Sequence, residues 1–140
     1  MSSASLPPAV TIHLTSVLCA LVLGPLALWA RRGGHSYPRL HRGFGYAWVA
    51  MMLMAATSAL WIRSTSMPNI AGYGPIHLLV PVVFVSLFGA FWFLYRGNVR
   101  GHRRTMQALY LGACVVAGLF TLLPGRFLGQ LVWHQWLGWI

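Results

Sequence analysis

The sequence predicts an all-α membrane protein. The fold expected is a four-transmembrane-helix up-and-down bundle, made of two parallel pseudo-two-fold helical-hairpin repeats and a short interfacial C-terminal segment. Three observations carry this expectation: the composition, four apolar stretches of spanning length, and histidine and arginine landmarks that recur in both halves.

Of the 140 residues, 58% are hydrophobic and 7% are charged, far outside the usage of soluble domains. The charge is ten arginines, with no lysine, aspartate or glutamate. Such a chain has little to hold it in water. The same absence of carboxylates disfavours acid–base hydrolytic enzymes and proton-coupled carriers. Nucleic acid is an unsuitable partner despite the net charge of +10, because most arginines flank apolar stretches and serve topology first.

Four stretches have about the 20 residues that a bilayer core requires. They run from Pro8 to Ala30, Phe44 to Ile62, Pro75 to Tyr95, and Met106 to Leu123. Gly33, Gly34 and Pro38 mark the first connection, and Pro68, Gly72 and Gly74 the second. Short links between long helices place neighbours antiparallel. One transmembrane domain is expected over 1–140, with repeat one over about 8–63, repeat two over about 74–126, and a tail over 127–140.

Arg31, Arg32, Arg39, Arg42, Arg96, Arg100, Arg103 and Arg104 fall on one side of this topology, and Arg63 and Arg126 on the other. By the positive-inside rule, the loops 31–43 and 96–105 are cytoplasmic and both termini periplasmic, in a bacterial inner membrane. The N-terminus lacks the basic region of a cleaved signal peptide, so Met1 is expected to stay. The aromatic tail around Trp133, Trp136 and Trp139 is too short to span and fits an interfacial segment.

The halves share a pattern. Ile12-His13-Leu14 opens the first helix and Ile76-His77-Leu78 the third. Leu40-His41-Arg42 leads into the second and Gly101-His102-Arg103 into the fourth. Parallel repeats place their symmetry axis along the membrane normal. Helices one and three, and two and four, then stand diagonally, pairing His13 with His77 near the outer face and His41 with His102 near the inner face.

Ionisable residues inside a membrane mark functional sites by default. Two neutral imidazoles across a bundle can supply both axial ligands of a haem b, leaving an iron that carries electrons. Haem propionates match the guanidinium fork. Arg63 and Arg126 are therefore candidates for an outer haem, and Arg42 and Arg103 for an inner one. From His13 to Ala30 is about 25 Å along a helix, so the pairs stand far apart, and the outer pair is the stronger candidate. The competing reading is that transmembrane histidines bond neighbouring carbonyls. His35 and His134 lie outside the repeat pattern and carry no assignment.

Cys19 and Cys114 read as small apolar packers rather than a disulfide. Met51, Met52 and Met54 spread around their helix and read as core or lipid contacts. Gly24, Gly89, Gly112, Ala113 and Gly118 permit close helix approach. Pro25 and Pro81 are expected to kink their helices.

The segments Gly74-Pro75-Ile76-His77-Leu78-Leu79, Arg96 through Met106, Leu119 through Arg126, and Arg39 through Gly45 resemble a bacterial family of predicted membrane proteins, the domain of unknown function 2306. The resemblance covers roughly residues 10 to 130 and is more specific in the second half. It implies the four-helix topology and no established activity. In architecture the chain is also similar to two-haem transmembrane cytochromes b. The leading expectation is a small haem b electron-transfer protein exchanging electrons with a quinone or a membrane redox partner. The alternative is a haem-free accessory subunit of a larger membrane complex, or a homo-oligomer, contacting lipid or quinone. A small-molecule carrier ranks third.

Overall fold

The computed structural model describes residues 6–32, 36–63, 70–123 and 127–138, which are helical almost throughout. Helix α1 spans Pro8–Trp29 and α2 spans Pro38–Ala59. A 3-10 turn, Pro75–Leu78, leads directly into α3, Leu79–Tyr95. Helix α4, Val99–Leu109, continues without a break into a π-helical segment, Tyr110–Val116, and then α5, Ala117–Thr121. A last helix, α6 at Phe127–Gln130, runs into a π-helical turn, Leu131–Trp136.

Neighbours in sequence are neighbours in space. Helix α1 packs along α2, α3 along α4, and α2 touches α3, while the π-helical segment returns to α1. The core holds Ala20, Trp48, Met52, Val83, Leu87, Leu109 and Cys114, with Met106 and Tyr110 packed against it. The buried residues of α1 are all small: Ser16, Ala20, Gly24 and Ala27. Their spacing of three to four puts them on one face, and their size brings α2 close.

The helices and the apolar stretches do not coincide. Helix α2 starts at Pro38 rather than near Phe44 and ends at Ala59 rather than Ile62; α4 starts at Val99 rather than near Met106. Pro38 opens α2, where a missing amide hydrogen costs nothing. The Asn98 side chain caps α4 by accepting the Gly101 amide at 2.8 Å. Arg39, His41, Arg42, Arg100, His102 and Arg103 therefore lie on helical turns rather than in loops.

Two of the described helical segments, Pro8–Trp29 and Ile76–Tyr95, are long and apolar enough to cross a membrane. Helix α2 has the length but carries two arginines and a histidine in its first turns. The fourth helical stretch is divided by its π-helical segment.

The prolines behave differently from each other. Pro81 is the third residue of α3, just past the 3-10 turn that leads into it. Pro25 sits inside α1. Having no N–H, it deprives the Leu21 carbonyl of its donor four residues on. The Tyr110 hydroxyl supplies that donor at 3.1 Å. Both cysteines are free, but only Cys114 packs in the core; Cys19 is exposed on α1. Met52 is buried, Met51 half-buried and Met54 exposed, as their spacing around the helix requires.

Candidate functional site

Each of His13, His41, His77 and His102 is half-buried, and each imidazole meets a main-chain carbonyl of a neighbouring segment. A carbonyl only accepts, so the ring nitrogen facing it is the donor.

On α1, the His13 Nδ1 donates to the Ala55 carbonyl of α2 at 2.9 Å. Ser58 lies against the same pair, its Oγ 3.4 Å from that nitrogen and donating to the same carbonyl at 3.0 Å. At the other end of the hairpin, His41 on α2 donates its Nδ1–H to the Ala27 carbonyl of α1 at 2.8 Å. The two ties are reciprocal, each joining the start of one helix to the end of the other. The His41 tie also completes the end of α1. The carbonyls of Leu26, Leu28, Trp29 and Ala30 take amides from Ala30, Arg31, Arg32 and Tyr37, which leaves Ala27 for the imidazole.

In the second hairpin, His102 on α4 donates Nδ1–H to the Ala90 carbonyl of α3 at 3.0 Å, with the Phe91 ring tilted beside it. His77 differs. Its Nε2 donates to the Ile62 carbonyl at 2.8 Å, and its Nδ1 accepts the Gly74 amide at 3.2 Å. The Tyr73 ring stands edge-on to His77 at 5.0 Å, and its hydroxyl donates to the Leu60 carbonyl. Arg63 lies over the Tyr73 ring, 6.0 Å from its centre. Arg63, Tyr73 and His77 thus clasp the end of α2 to the start of α3.

The sequence pairs His13 with His77 and His41 with His102. His13 and His77 are directed to the backbone of α2 or the residues just after it, and His41 and His102 to the partner helix of their own hairpin. His13, His41 and His102 keep an Nε2 lone pair, because an Nδ1-protonated ring has its acceptor there. In His77 both nitrogens are engaged. Arg42 and Arg103 are exposed on the first turns of α2 and α4. Arg126 and His35 lie outside the described residues, and His134 is exposed in the tail. Among the described residues, no group of three or more His, Cys, Asp or Glu side chains is placed to hold a metal ion.

Three features went unread in the sequence. Tyr110 bridges to Leu21 across 89 positions; Pro25 exposes that carbonyl, but only the fold says which side chain reaches it. Gly24 makes room, since a Cβ there would lie 2.5 Å from two Tyr110 ring carbons. The Cys114 thiol faces the Met52 sulfur at 3.5 Å in the core, and the buried Trp48 indole N–H has no hydrogen-bond partner among the described residues.

No curated protein and no solved structure matches the chain. One family model does, described as "Predicted membrane protein (DUF2306)", over residues 10–140. With the match running through His13, His41, His77 and His102, the chain belongs to this family of predicted membrane proteins.

Proposed function

We propose that the protein is a four-span, multi-pass subunit of the bacterial inner membrane with both termini periplasmic, and that it works without haem as an accessory component of a larger membrane complex. The observation that carries this reading is how little of its apolar helix surface the chain covers itself. Only 17% of the α1 span and 22% of the α3 span is buried within the chain. Val82, Val85, Phe88 and Trp92 of α3 all face outward. Lipid, quinone or partner helices must cover the rest.

Two further features support the architecture. Buried positions of α1 and α3 coincide at a constant offset of 63 residues: Ala20 with Val83, Gly24 with Leu87, and Ala27 with Ala90. For α2 and the fourth helix the offset is 61 at Trp48 and Leu109, then 62 at Met52 and Cys114. A π-helical segment accommodates one extra residue, and it begins between those pairs. The histidines fit the same reading as ties between helices, since interhelical hydrogen bonds hold membrane helices together where no hydrophobic drive exists.

The test is purification from haem-replete cells in mild detergent. A colourless protein migrating well above the 15.5 kDa chain is expected. A colourless monomer with no co-purifying chain would reject the subunit reading.

A second reading keeps haem b, carried by a specific observation. Histidines that ligate metal hold their other N–H on a carbonyl or carboxylate, and His41, His102 and His13 have that arrangement. The inner pair, with Arg42 and Arg103 beside it, is then the better site, because His77 would have to give up two hydrogen bonds. A reduced α-band lost in His41→Ala and His102→Ala, but kept in His77→Ala, would support electron transfer through that pair.

A further inference from the structure

The His41 and His102 ties bring the arginines of each hairpin together. The His41–Ala27 bond pins the start of α2 to the end of α1, gathering Arg31, Arg32, Arg39 and Arg42. The His102–Ala90 bond does the same for α3 and α4, gathering Arg96, Arg100, Arg103 and Arg104. All eight are exposed. The chain contains no carboxylate side chain to neutralise them. Among the described residues the guanidinium of Arg31 has a hydrogen bond, to the Ser36 hydroxyl at 2.9 Å, and the other seven have none.

A second, independent feature lies at the same ends of the helices. Trp29 stacks on Tyr37 at 6.1 Å beside the first cluster, and Trp92 meets Tyr95 at 5.9 Å beside the second. These four aromatics are 46–83% exposed. Trp and Tyr gather where acyl chains give way to headgroups. Trp29 and Trp92 are 63 residues apart, the offset that relates α1 to α3, and each stands with a tyrosine beside an arginine cluster, although Tyr37 precedes α2 while Tyr95 closes α3.

We infer that each hairpin binds the headgroup phosphate of an anionic phospholipid, giving two repeat-related sites per chain. The guanidinium fork takes phosphate oxygens in two parallel bonds. The aromatic pair sets the depth at which the glycerol and first acyl carbons meet the helix. A free phosphate ion would use the arginines but not the aromatics. An acidic protein surface would leave the aromatics without an apolar neighbour. This inference rests on the membrane-embedded reading above.

Native mass spectrometry of the full chain in detergent, titrated with phosphatidylglycerol or phosphatidylcholine, tests it. Up to two retained phosphatidylglycerol molecules are expected, undisplaced by inorganic phosphate, with weaker binding of phosphatidylcholine. Replacing Arg100, Arg103 and Arg104 by glutamine should weaken one site on the order of a hundredfold, at about 1 kcal/mol per arginine. Lysine at the same three positions keeps the charge and the topology, and should lose part of the affinity with the fork. Equal binding of the two lipids, no change in the glutamine variant, or displacement by phosphate overturns the inference. Membrane insertion of each variant is scored separately by carbonate extraction. A chain that inserts but shows no anionic preference refutes the lipid sites alone; one that washes out of the membrane refutes the reading beneath them.

Discussion

The Tyr110 hydroxyl donates to the carbonyl of Leu21, 3.1 Å away on a different helix. That carbonyl lacks its helical donor because Pro25 stands four residues on. A defect in α1 is therefore repaired by the fourth helix, at the residue where its π-helical segment begins.

Tyr110→Phe should cost about 1–2 kcal/mol, the penalty for leaving a half-buried carbonyl unpaired. In a Pro25→Ala background the backbone amide restored at that position becomes the donor, and the same change should cost less than about 1 kcal/mol. Thermal unfolding in detergent of the four proteins of this cycle measures the coupling. Equal costs in both backgrounds would mean that Pro25 and Tyr110 are energetically unrelated.

Gly24→Ala should destabilise the protein, although alanine is the better helix former by about 1 kcal/mol. The added methyl would lie 2.5 Å from the Tyr110 Cδ2 and Cε2 and 3.3 Å from the Trp48 Nε1. Overpacking of this kind costs about 1–3 kcal/mol. Tyr110→Leu, which removes the ring, should recover part of the loss. A more stable Gly24→Ala protein contradicts the close approach.

His41 and His102 make the same kind of bond but should differ in weight. The Ala27 carbonyl at the end of α1 depends on His41, whereas Ala90 lies deeper in α3, within reach of the Leu94 amide. His41→Ala should cost about 1–3 kcal/mol and His102→Ala less than about 1.5 kcal/mol, a difference between orphaning an acceptor and removing its second donor. Denaturation midpoints in the same detergent compare them; a larger loss at His102 would reverse this ranking.

The turn between Ile70 and Tyr73 has two residues with positive φ, Ala71 at 56° and Gly72 at 88°. Ala71→Gly should stabilise by roughly 0.5–1 kcal/mol, the left-handed strain relieved less the added freedom of the unfolded chain. Gly72→Ala should destabilise by about 1–2 kcal/mol, and its methyl would press on the Arg63 side chain 3.3 Å away. Opposite signs from adjacent positions are the expected signature in thermal unfolding.

For topology, single cysteines at Ser36 and at Ala71 in a background lacking Cys19 and Cys114 serve as opposite reporters. An impermeant maleimide applied to intact cells should label position 71 and spare position 36. Labelling of 36 alone reverses the orientation, and labelling of both, or of neither while cell lysis exposes both, removes the four-span arrangement.

The all-α class and family membership were legible in the sequence because both rest on local quantities. Transfer of apolar side chains out of water scales with their area wherever they sit, so composition and apolar length locate α1 and α3 without knowledge of their neighbours. The arginine distribution is equally local. Helix ends were read less well. Hydropathy reports which residues prefer hydrocarbon, while a helix continues as long as its amides find carbonyls, and Pro38 and Asn98 let α2 and α4 begin well before their apolar stretches.

By itself the sequence singled out the groups that need partners: His13, His41, His77 and His102, ten arginines without a carboxylate, and a proline that must strand the Leu21 carbonyl. Only the tertiary structure decided what each one meets. A hydrogen-bond partner depends on the rotation and register of two helices at once, and small residues at Ala20, Gly24 and Ala27 set both by letting α2 and Tyr110 close on α1. That packing turns His41 toward Ala27 and spends both nitrogens of His77 on backbone groups, a distinction invisible in four histidines at repeating intervals.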